Sequence, residues 1–134
     1  MFQQLQEYLK DTNIKIFLKY DGERIKERHT VVLYDLKDSS LTLSKETDFL
    51  KFDFFELLKS RGIVVSKEDY EFLIYNFFHI RDILLEKYGN KVVVAFTIEN
   101  KEQIEYCIYL QCREIMTRYS DFDFNKILDL VNSL

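Results

Sequence analysis

Residues 91–113 constrain the fold of this chain most strongly, because they contain two consecutive segments with the character of β-strands. The segment 91–98 is a run of apolar β-formers, which is typical of an interior strand buried on both faces. After the polar stretch 99–102, apolar and polar side chains alternate from 104 to 113. Alternation with a period of two predicts a strand with one buried face. The two segments therefore predict an antiparallel hairpin.

A second hairpin is predicted in the first half of the chain. The segments 14–20 and 30–34 are rich in β-branched and aromatic residues, which favour strands. Between them, Asp21-Gly22 is typical of hairpin turns, because glycine tolerates the positive φ that such turns need. The rest of the connection is long and charged. A short third strand is expected at 41–43, after a polar break.

Two helices are predicted from apolar spacing. Residues 2–10 fit a short amphipathic helix. Residues 67–88 fit a long helix whose apolar stripe is wide, so it is expected to lie centrally in the fold. The sequence from Ser66 to Asp69 resembles a capping box at its start, and Gly89 is expected to end it.

A third helix is expected between these two. Asp48 is predicted to cap it, and the helix is expected to run to about residue 60. Phe52, Phe55, Leu58 and neighbouring apolar residues are assigned to its buried face. Gly62 stands where a C-cap glycine belongs.

These elements predict an α+β fold. We expect an antiparallel sheet of about four to five strands, built from two hairpins, packed with three to four helices, one of them long and central. After residue 113 the chain is expected to be helical, with a break near Ser120 and Asp121. A length of 134 residues is that of one domain, so residues 1–134 are predicted to form a single unit.

The order of elements also suggests a weak internal duplication. In about 1–65 and about 66–134, a helix, a hairpin and a second helix follow one another. The tripeptide Phe-Asp-Phe occurs at 52–54 and again at 122–124. A match of three residues in a Phe-rich chain carries little weight by itself.

The scarcity of glycine excludes several kinds of active site. The three glycines, Gly22, Gly62 and Gly89, are far apart, so neither a P-loop nor a dinucleotide-binding pattern can form. The sequence contains no Gly-x-Ser-x-Gly nucleophile elbow and no His-Glu-x-x-His motif. Cys107 and Cys112 do not form a Cys-x-x-Cys pair, and a zinc site is not expected. The sequence therefore predicts no catalytic residues, no metal site and no cofactor.

Two histidines remain as candidates for acid–base chemistry. General acid–base catalysis needs a titrating group positioned beside a partner in a cleft, and no pattern pairs His29 with His79. For His79, which lies between Phe78 and Ile80, the favoured interpretation is a partly buried side chain with a local hydrogen bond. A small enzyme using His29 or His79 is therefore the least favoured hypothesis.

Charge and hydropathy restrict the partners and the compartment. The net charge is −4, so the chain offers no uniformly positive field, and nucleic acid is not expected as a partner. The first residues lack the basic and apolar regions of a secretory signal. No apolar run approaches the ~20 residues of a membrane span. We therefore expect a cytoplasmic protein that does not bind membranes.

Most of the negative charge lies in one segment, 35–56, which contains six acidic residues and three lysines. Such a segment can be a solvated face and a helix N-terminus, where acidic side chains are favoured. Alternatively, it is a contact surface for a basic protein, with nearby aromatic side chains as anchors. On this second hypothesis the predicted partner-binding residues are Tyr34, Asp35, Asp38, Glu46, Asp48, Phe49 and Asp53.

The stretch Lys-Tyr-Asp-Gly-Glu-Arg at 19–24, followed by Thr-Val-Val-Leu-Tyr at 30–34, resembles the immunity proteins of bacterial polymorphic-toxin and contact-dependent inhibition systems. A small acidic α+β chain without catalytic motifs is similar to them as well. The resemblance implies that the chain binds a cognate toxin domain, such as a basic nuclease, and blocks its active site or the access of substrate. No functional residue is carried over from the family.

The alternative from another class is a self-associating structural or regulatory domain. The many large aromatic side chains could line a homodimer interface. A large toxin gene directly upstream would favour the immunity hypothesis. A concave pocket that holds a histidine paired with a carboxylate would favour an enzyme.

Overall fold

The computed structural model describes residues 3–134, which contain four α-helices, six β-strands and one 3-10 turn. The helices are α1 (Gln3–Asp11), α2 (Leu50–Ser60), α3 (Lys67–Tyr88) and α4 (Phe124–Asn132). The strands are β1 (Ile14–Asp21), β2 (His29–Asp35), β3 (Leu43–Thr47), β4 (Val93–Asn100), β5 (Ile104–Cys112) and β6 (Ile115–Asp121). The 3-10 turn, Ser39–Leu41, precedes β3. The predicted α+β class is confirmed, with one strand more than expected; Phe2, assigned to the first helix, lies outside the described residues.

The strands form one antiparallel sheet in the order β3-β2-β1-β4-β5-β6. β1 and β4 pair at its centre, where Leu18 lies opposite Phe96. Each half of the chain contributes a helix, three consecutive strands and a second helix. The strands of the first half, in the order β3-β2-β1, lie on one side of the central β1–β4 pairing, and those of the second half, in the order β4-β5-β6, lie on the other. The repeated Phe-Asp-Phe does not follow this symmetry, because Asp53 lies within α2 whereas Asp123 is the N-cap of α4. The duplication stays a prediction.

The helices pack on one face of the sheet and bury a single core. Alternate side chains of β1 point to the helices, and Ile14, Ile16 and Leu18 are each 1% exposed or less. In α3, Phe77 and Ile80 are fully buried in the same cluster. Full burial of one such side chain stabilises the fold by about 1.5–3 kcal/mol. None of the helices in the described range is long and apolar enough to cross a bilayer.

The opposite face of the sheet, which we call the open face, carries the other set of strand side chains. No helix within residues 3–134 packs on it. Phe17 of β1 lies opposite Thr97 of β4, and Ala95 of β4 lies opposite Tyr109 of β5, all on this face. The burial pattern of β4, buried on both faces, confirms the prediction of an interior strand.

The predicted helix ends are confirmed at three positions. Ser66 caps α3, since its side chain accepts a hydrogen bond from the N–H of Asp69 at 3.1 Å. Gly89 ends α3 with φ 96°. After α2, Gly62 has φ 77°, and the Ile63 N–H donates to the Leu58 carbonyl at 2.9 Å, which is the hydrogen bond of a Schellman ending.

The approach to α2 differs from the prediction. A strand was expected at 41–43. The chain instead forms the 3-10 turn there, because the Asp38 carboxylate caps this turn at the N–H of Ser40, and β3 begins at Leu43. The N-cap residue of α2 is Phe49, which makes no side-chain capping bond. Asp48 does not cap the helix: its carboxylate accepts a hydrogen bond from the N–H of Glu27 at 2.7 Å.

The buried face of α2 agrees with the prediction at Leu58, which is 2% exposed, and differs from it at the two phenylalanines. Leu50, Phe54 and Leu58 form it, at positions i, i+4 and i+8. Phe52 and Phe55, which were assigned to that face, are 64% and 45% exposed. Apolar side chains surround most of α2, so their spacing alone does not select the face that packs.

The segment 114–119, predicted as helix, turns back and contributes to β6 along β5. Cys112 pairs with Ile115 across a tight turn in which Arg113 has φ 57°. β6 is an edge strand of the sheet, and its side chains alternate between half-buried and exposed positions. Pairing with β5 supplies its stability, and this contact is not visible in local spacing.

Gly22 has a different role from the one predicted. Its φ is not in the left-handed region, which Gly62 and Gly89 occupy. A Cβ at this position would collide with the carbonyl oxygens of Asn90 and, at 2.7 Å, of Val92. Glycine is therefore required by close approach of the chain leading into β4.

Candidate functional site

Asp35 of the predicted acidic surface points into the fold. It forms an ion pair with Arg61 at 2.6 Å, and its side chain is 8% exposed. The N–H of Asp38 donates to its carboxylate at 2.9 Å. This backbone hydrogen bond, followed by that from Arg61, holds the pKa of Asp35 below its usual value. The ion pair of Asp35 with Arg61 therefore attaches the end of α2 to β2.

Asp53 is a second internal carboxylate. It is buried on α2, accepts a hydrogen bond from the Thr47 hydroxyl, and lies 3.1 Å from Nζ of Lys45. The hydrogen bond from Thr47 and then the contact with Lys45 lower the pKa of Asp53. Asp53 therefore ties α2 to β3.

The other three acids of the predicted set are exposed but point in different directions. Asp38 caps the 3-10 turn. Glu46 lies on the open face of β3 and forms an ion pair with Arg24 at 3.1 Å. Asp48 lies beyond β3 and holds the backbone of Glu27. The segment is thus acidic in composition without being one acidic surface.

The two predicted aromatic anchors lie on opposite sides of the sheet. Tyr34 is 37% exposed on the open face, where its ring meets Phe17 edge to face at 6.0 Å. Phe49 is 74% exposed at the start of α2, on the helix side. Of the seven predicted residues, Asp48 and Phe49 line a common concave surface.

That surface is a groove of about 840 Å³ between α2 and α3, which we call the aromatic groove. Phe49, Phe52 and Phe55 line it, and they are 74%, 64% and 45% exposed. Their spacing of three residues places them on one side of α2. Contiguous exposed apolar side chains of this size are typical of contact sites.

The wall of the aromatic groove on α3 is firmly attached to α2. The Tyr70 ring lies 5.5 Å from that of Phe55, and its hydroxyl donates to the backbone carbonyl of Lys51. Burial, with the nearby Tyr75 and Glu71, raises the pKa of Tyr70 to about 12, so this hydroxyl stays a donor. Lys51 donates to the Tyr75 hydroxyl at 2.7 Å. The shape of the groove is therefore fixed by contacts within the chain.

The charges at the rim of the aromatic groove are balanced. Asp48 and Glu71 line it together with Lys51 and Lys67. The hydrogen bond to Tyr75 is the largest cause that raises the pKa of Lys51, which stays charged. An apolar centre with a polar rim is the usual composition of a protein–protein interface.

His29 lies beneath this region, on the helix side of β2. Its Nε2 is 3.0 Å from the Arg81 guanidinium, and its ring lies 5.9 Å from that of Phe78. Burial, and then the charge of Arg81, lower the pKa of His29 to about 4, against the weaker effects of Asp48 and Asp82. A neutral imidazole that accepts from arginine is not arranged as a general base with a carboxylate partner.

His79 is exposed, which corrects the expectation of partial burial. Its Nε2 lies 2.8 Å from Oδ1 of Asn132 on α4, so its partner is distant in sequence and not local. Cys107 and Cys112 are free and lie on opposite faces of β5. Within residues 3–134, no group of three or more metal-ligating side chains comes together.

Sequence reasoning found Phe49 and missed Phe52 and Phe55 as surface residues. Their spacing of three residues places these phenylalanines on the side of α2 opposite Leu50, Phe54 and Leu58, but spacing alone does not show which of the two sides is buried. Comparison of the chain with protein-family models, with curated proteins and with solved structures finds no match.

Proposed function

We propose that this chain is a protein-binding module of the immunity-protein kind, which binds a cognate toxin domain and occludes its active site. The observation that carries the proposal is the exposure of Phe49, Phe52 and Phe55 along one preformed groove. The buried packing of α2 is provided by the opposite side of the helix, by Leu50, Phe54 and Leu58. Aromatic side chains in a concave site are the usual anchors of tight protein complexes.

The proposal places the centre of the interface at the aromatic groove and moves it away from most of the acidic segment. Asp48 is the acid of the predicted set that lies at the groove, where it can meet a basic group of the partner. A tight complex buries about 1,600 Å² in total, so the contact would extend from the groove over the neighbouring surfaces of α2 and α3. The mechanism is steric occlusion, with no chemical step.

The direct test is neutralisation of a toxin. The protein encoded directly upstream of this chain is expressed in a host cell with and without the chain, and growth is measured. We expect the chain to restore growth and to form a complex with the toxin domain in purified form. Persistent toxicity together with no binding in calorimetry would contradict the proposal.

A matched set of variants locates the interface. The double variant Phe49→Ala, Phe52→Ala is expected to raise the Kd for the toxin domain about 100-fold, because each anchor contributes about 1–2 kcal/mol. Phe122→Ala is the control, since Phe122 is 53% exposed and does not line the aromatic groove. Equal binding by both variants would refute the location.

The competing hypothesis is self-association through the same aromatic side chains. The mass of the purified chain is measured by light scattering over a range of concentrations. A dimer that dissociates in the double variant, with no toxin neutralised, would favour a self-associating structural or regulatory protein.

A further inference from the structure

The open face of the sheet contains a trough of about 700 Å³, separate from the aromatic groove. Its floor is formed by the small side chains of Ala95 and Thr97 on β4, which are 7% and 4% exposed. Phe17 on β1 and Tyr109 on β5 lie on diagonally opposite sides of this floor. The strands β1 and β5 are about 10 Å apart across β4, which leaves room for one planar ring in contact with an aromatic wall.

The charges in the trough differ from those of the chain as a whole. Lys15, Lys19 and Arg118 line it, and no carboxylate does so among the described residues, although the net charge of the chain is −4. Their acidic partners lie outside the lining. Asp21 is 3.9 Å from Lys19, Glu99 is 3.3 Å from Lys15, and Glu105 is 3.4 Å from Arg118. These ion pairs hold the cations in place at the sides of the trough, with the carboxylates outside its lining.

The cations and the aromatic rings are presented together. Lys19, Ala95, Tyr109 and Arg118 lie side by side in one row across four strands. The Arg118 guanidinium is 5.7 Å from the centre of the Tyr109 ring. A ligand lying over Ala95 would therefore meet an aromatic ring and two cations at once.

We propose that the trough binds a small organic anion that carries a planar aromatic ring. The ring lies over Ala95 and Thr97 against Tyr109 or Phe17, and the anionic group is bound by Lys19 and Arg118. The volume of the trough lies within the range of small-ligand sites, about 300–1,000 Å³. A nucleoside monophosphate has both chemical features and serves as the probe.

The test is a titration of the isotopically labelled full chain, followed by the NMR shifts of its backbone amides. Adenosine monophosphate, adenosine and ribose 5-phosphate are compared at concentrations up to the millimolar range. We expect saturable shifts on β1, β4 and β5 with the monophosphate, and at least tenfold weaker binding of the two fragments. Equal binding of adenosine, equal binding of ribose 5-phosphate, or no shift with the monophosphate would each overturn the proposal.

Variants separate a built site from general attraction of anions. Lys19→Gln and Arg118→Gln are each expected to raise the Kd for the monophosphate about tenfold, the usual effect of losing one charge-assisted contact. Lys126→Gln is the matched control, because Lys126 is exposed on α4 and does not line the trough. Equal weakening by the control would refute the site. Phe52→Ala, in the aromatic groove, is expected to leave this binding unchanged, so this proposal and the proposed function can fail separately.

Discussion

The guanidinium of Arg81 donates a hydrogen bond to Nε2 of His29 across 3.0 Å, from the middle of the long helix α3 to the first residue of β2. The same guanidinium lies 4.5 Å from the centre of the Phe78 ring and 2.8 Å from Asp82. Arginine has no acceptor, so the imidazole accepts, and it must be neutral to do so. The contact joins β2 to α3 only while His29 is unprotonated.

This contact makes the stability of the fold depend on pH. The pKa of His29 is lowered from 6.5 to about 4 in the folded chain, so between these values the unfolded chain binds more protons. Unfolding is therefore favoured as the pH falls from 6.5 towards 4, and the stabilisation is complete above 6.5. We expect the free energy of unfolding to fall by about 1–2 kcal/mol between pH 7.5 and pH 5, measured by urea titration.

The variant His29→Gln provides the control for that measurement. Glutamine can accept from Arg81 but does not titrate. Its free energy of unfolding is expected to change less over the same interval. Asp48 and Asp82 also face the imidazole, and both are retained in the variant. An equal loss in the variant would show that other groups cause the dependence.

Substitution of Gly22 tests whether close approach or backbone conformation selects the glycine. Gly22→Ala places a methyl group against the carbonyl oxygens of Asn90 and Val92, and we expect a loss of about 2–3 kcal/mol. Gly62→Ala meets no atom within 4 Å but has φ 77°, so a loss of about 1 kcal/mol is expected. Urea unfolding of both variants shows which of them loses more unfolding free energy. The steric explanation fails if Gly22→Ala is the milder change.

The two faces of α2 are distinguished by neighbouring phenylalanines. Phe54 is fully buried, and Phe54→Ala is expected to cost about 3–5 kcal/mol of unfolding free energy. Phe55→Ala, at 45% exposure, is expected to cost much less, and Phe52→Ala is expected to be close to neutral. Thermal unfolding of the three variants is the measurement. A loss at Phe52 as large as that at Phe54 would mean that α2 packs through the other face.

Two aspartates of the predicted partner-binding set are expected to differ in their effect on stability. Asp53→Asn weakens the contacts with Thr47 and Lys45, and a loss of about 1–2 kcal/mol is expected. Asp48→Asn keeps an oxygen that can accept from Glu27 at an exposed site, so a change within about 0.5 kcal/mol is expected. The two variants are compared by the denaturant concentration at the midpoint of unfolding, provided that the dependence of the unfolding free energy on denaturant is the same in both. Similar losses would show that the burial of Asp53 carries no energetic weight.

Local signals in the sequence predicted the parts of the fold that depend on local chemistry. The cap at Ser66, the glycines at the ends of α2 and α3, and the alternation along β5 each act over a few residues. β6 was missed because its strand conformation depends on pairing with β5. The face of α2 was missed because apolar side chains surround the helix.

The candidate site was predicted less well than the fold, for a similar reason. Nothing near Asp35 in the sequence shows that Arg61 will neutralise it 26 residues later. Composition places six acids in one segment, but the pleat of β3 sends Glu46 and Lys45 to opposite faces. The trough on the open face combines residues from β1, β4, β5 and β6, which no local pattern connects.

The pairing of β1 with β4 has a consequence for the chain during its synthesis, because β1 is made long before its partner strand. β1 is central in the complete sheet, but it is an edge strand of the three strands that the first half of the chain contributes. Its partner residues lie about 80 positions later, since Ile16 pairs with Ile98. A three-stranded sheet formed by β1, β2 and β3 during synthesis would therefore have the edge of β1 unpaired until residue 100 has left the ribosome. Unpaired strand edges can pair with other chains, so this interval would favour aggregation of the nascent chain.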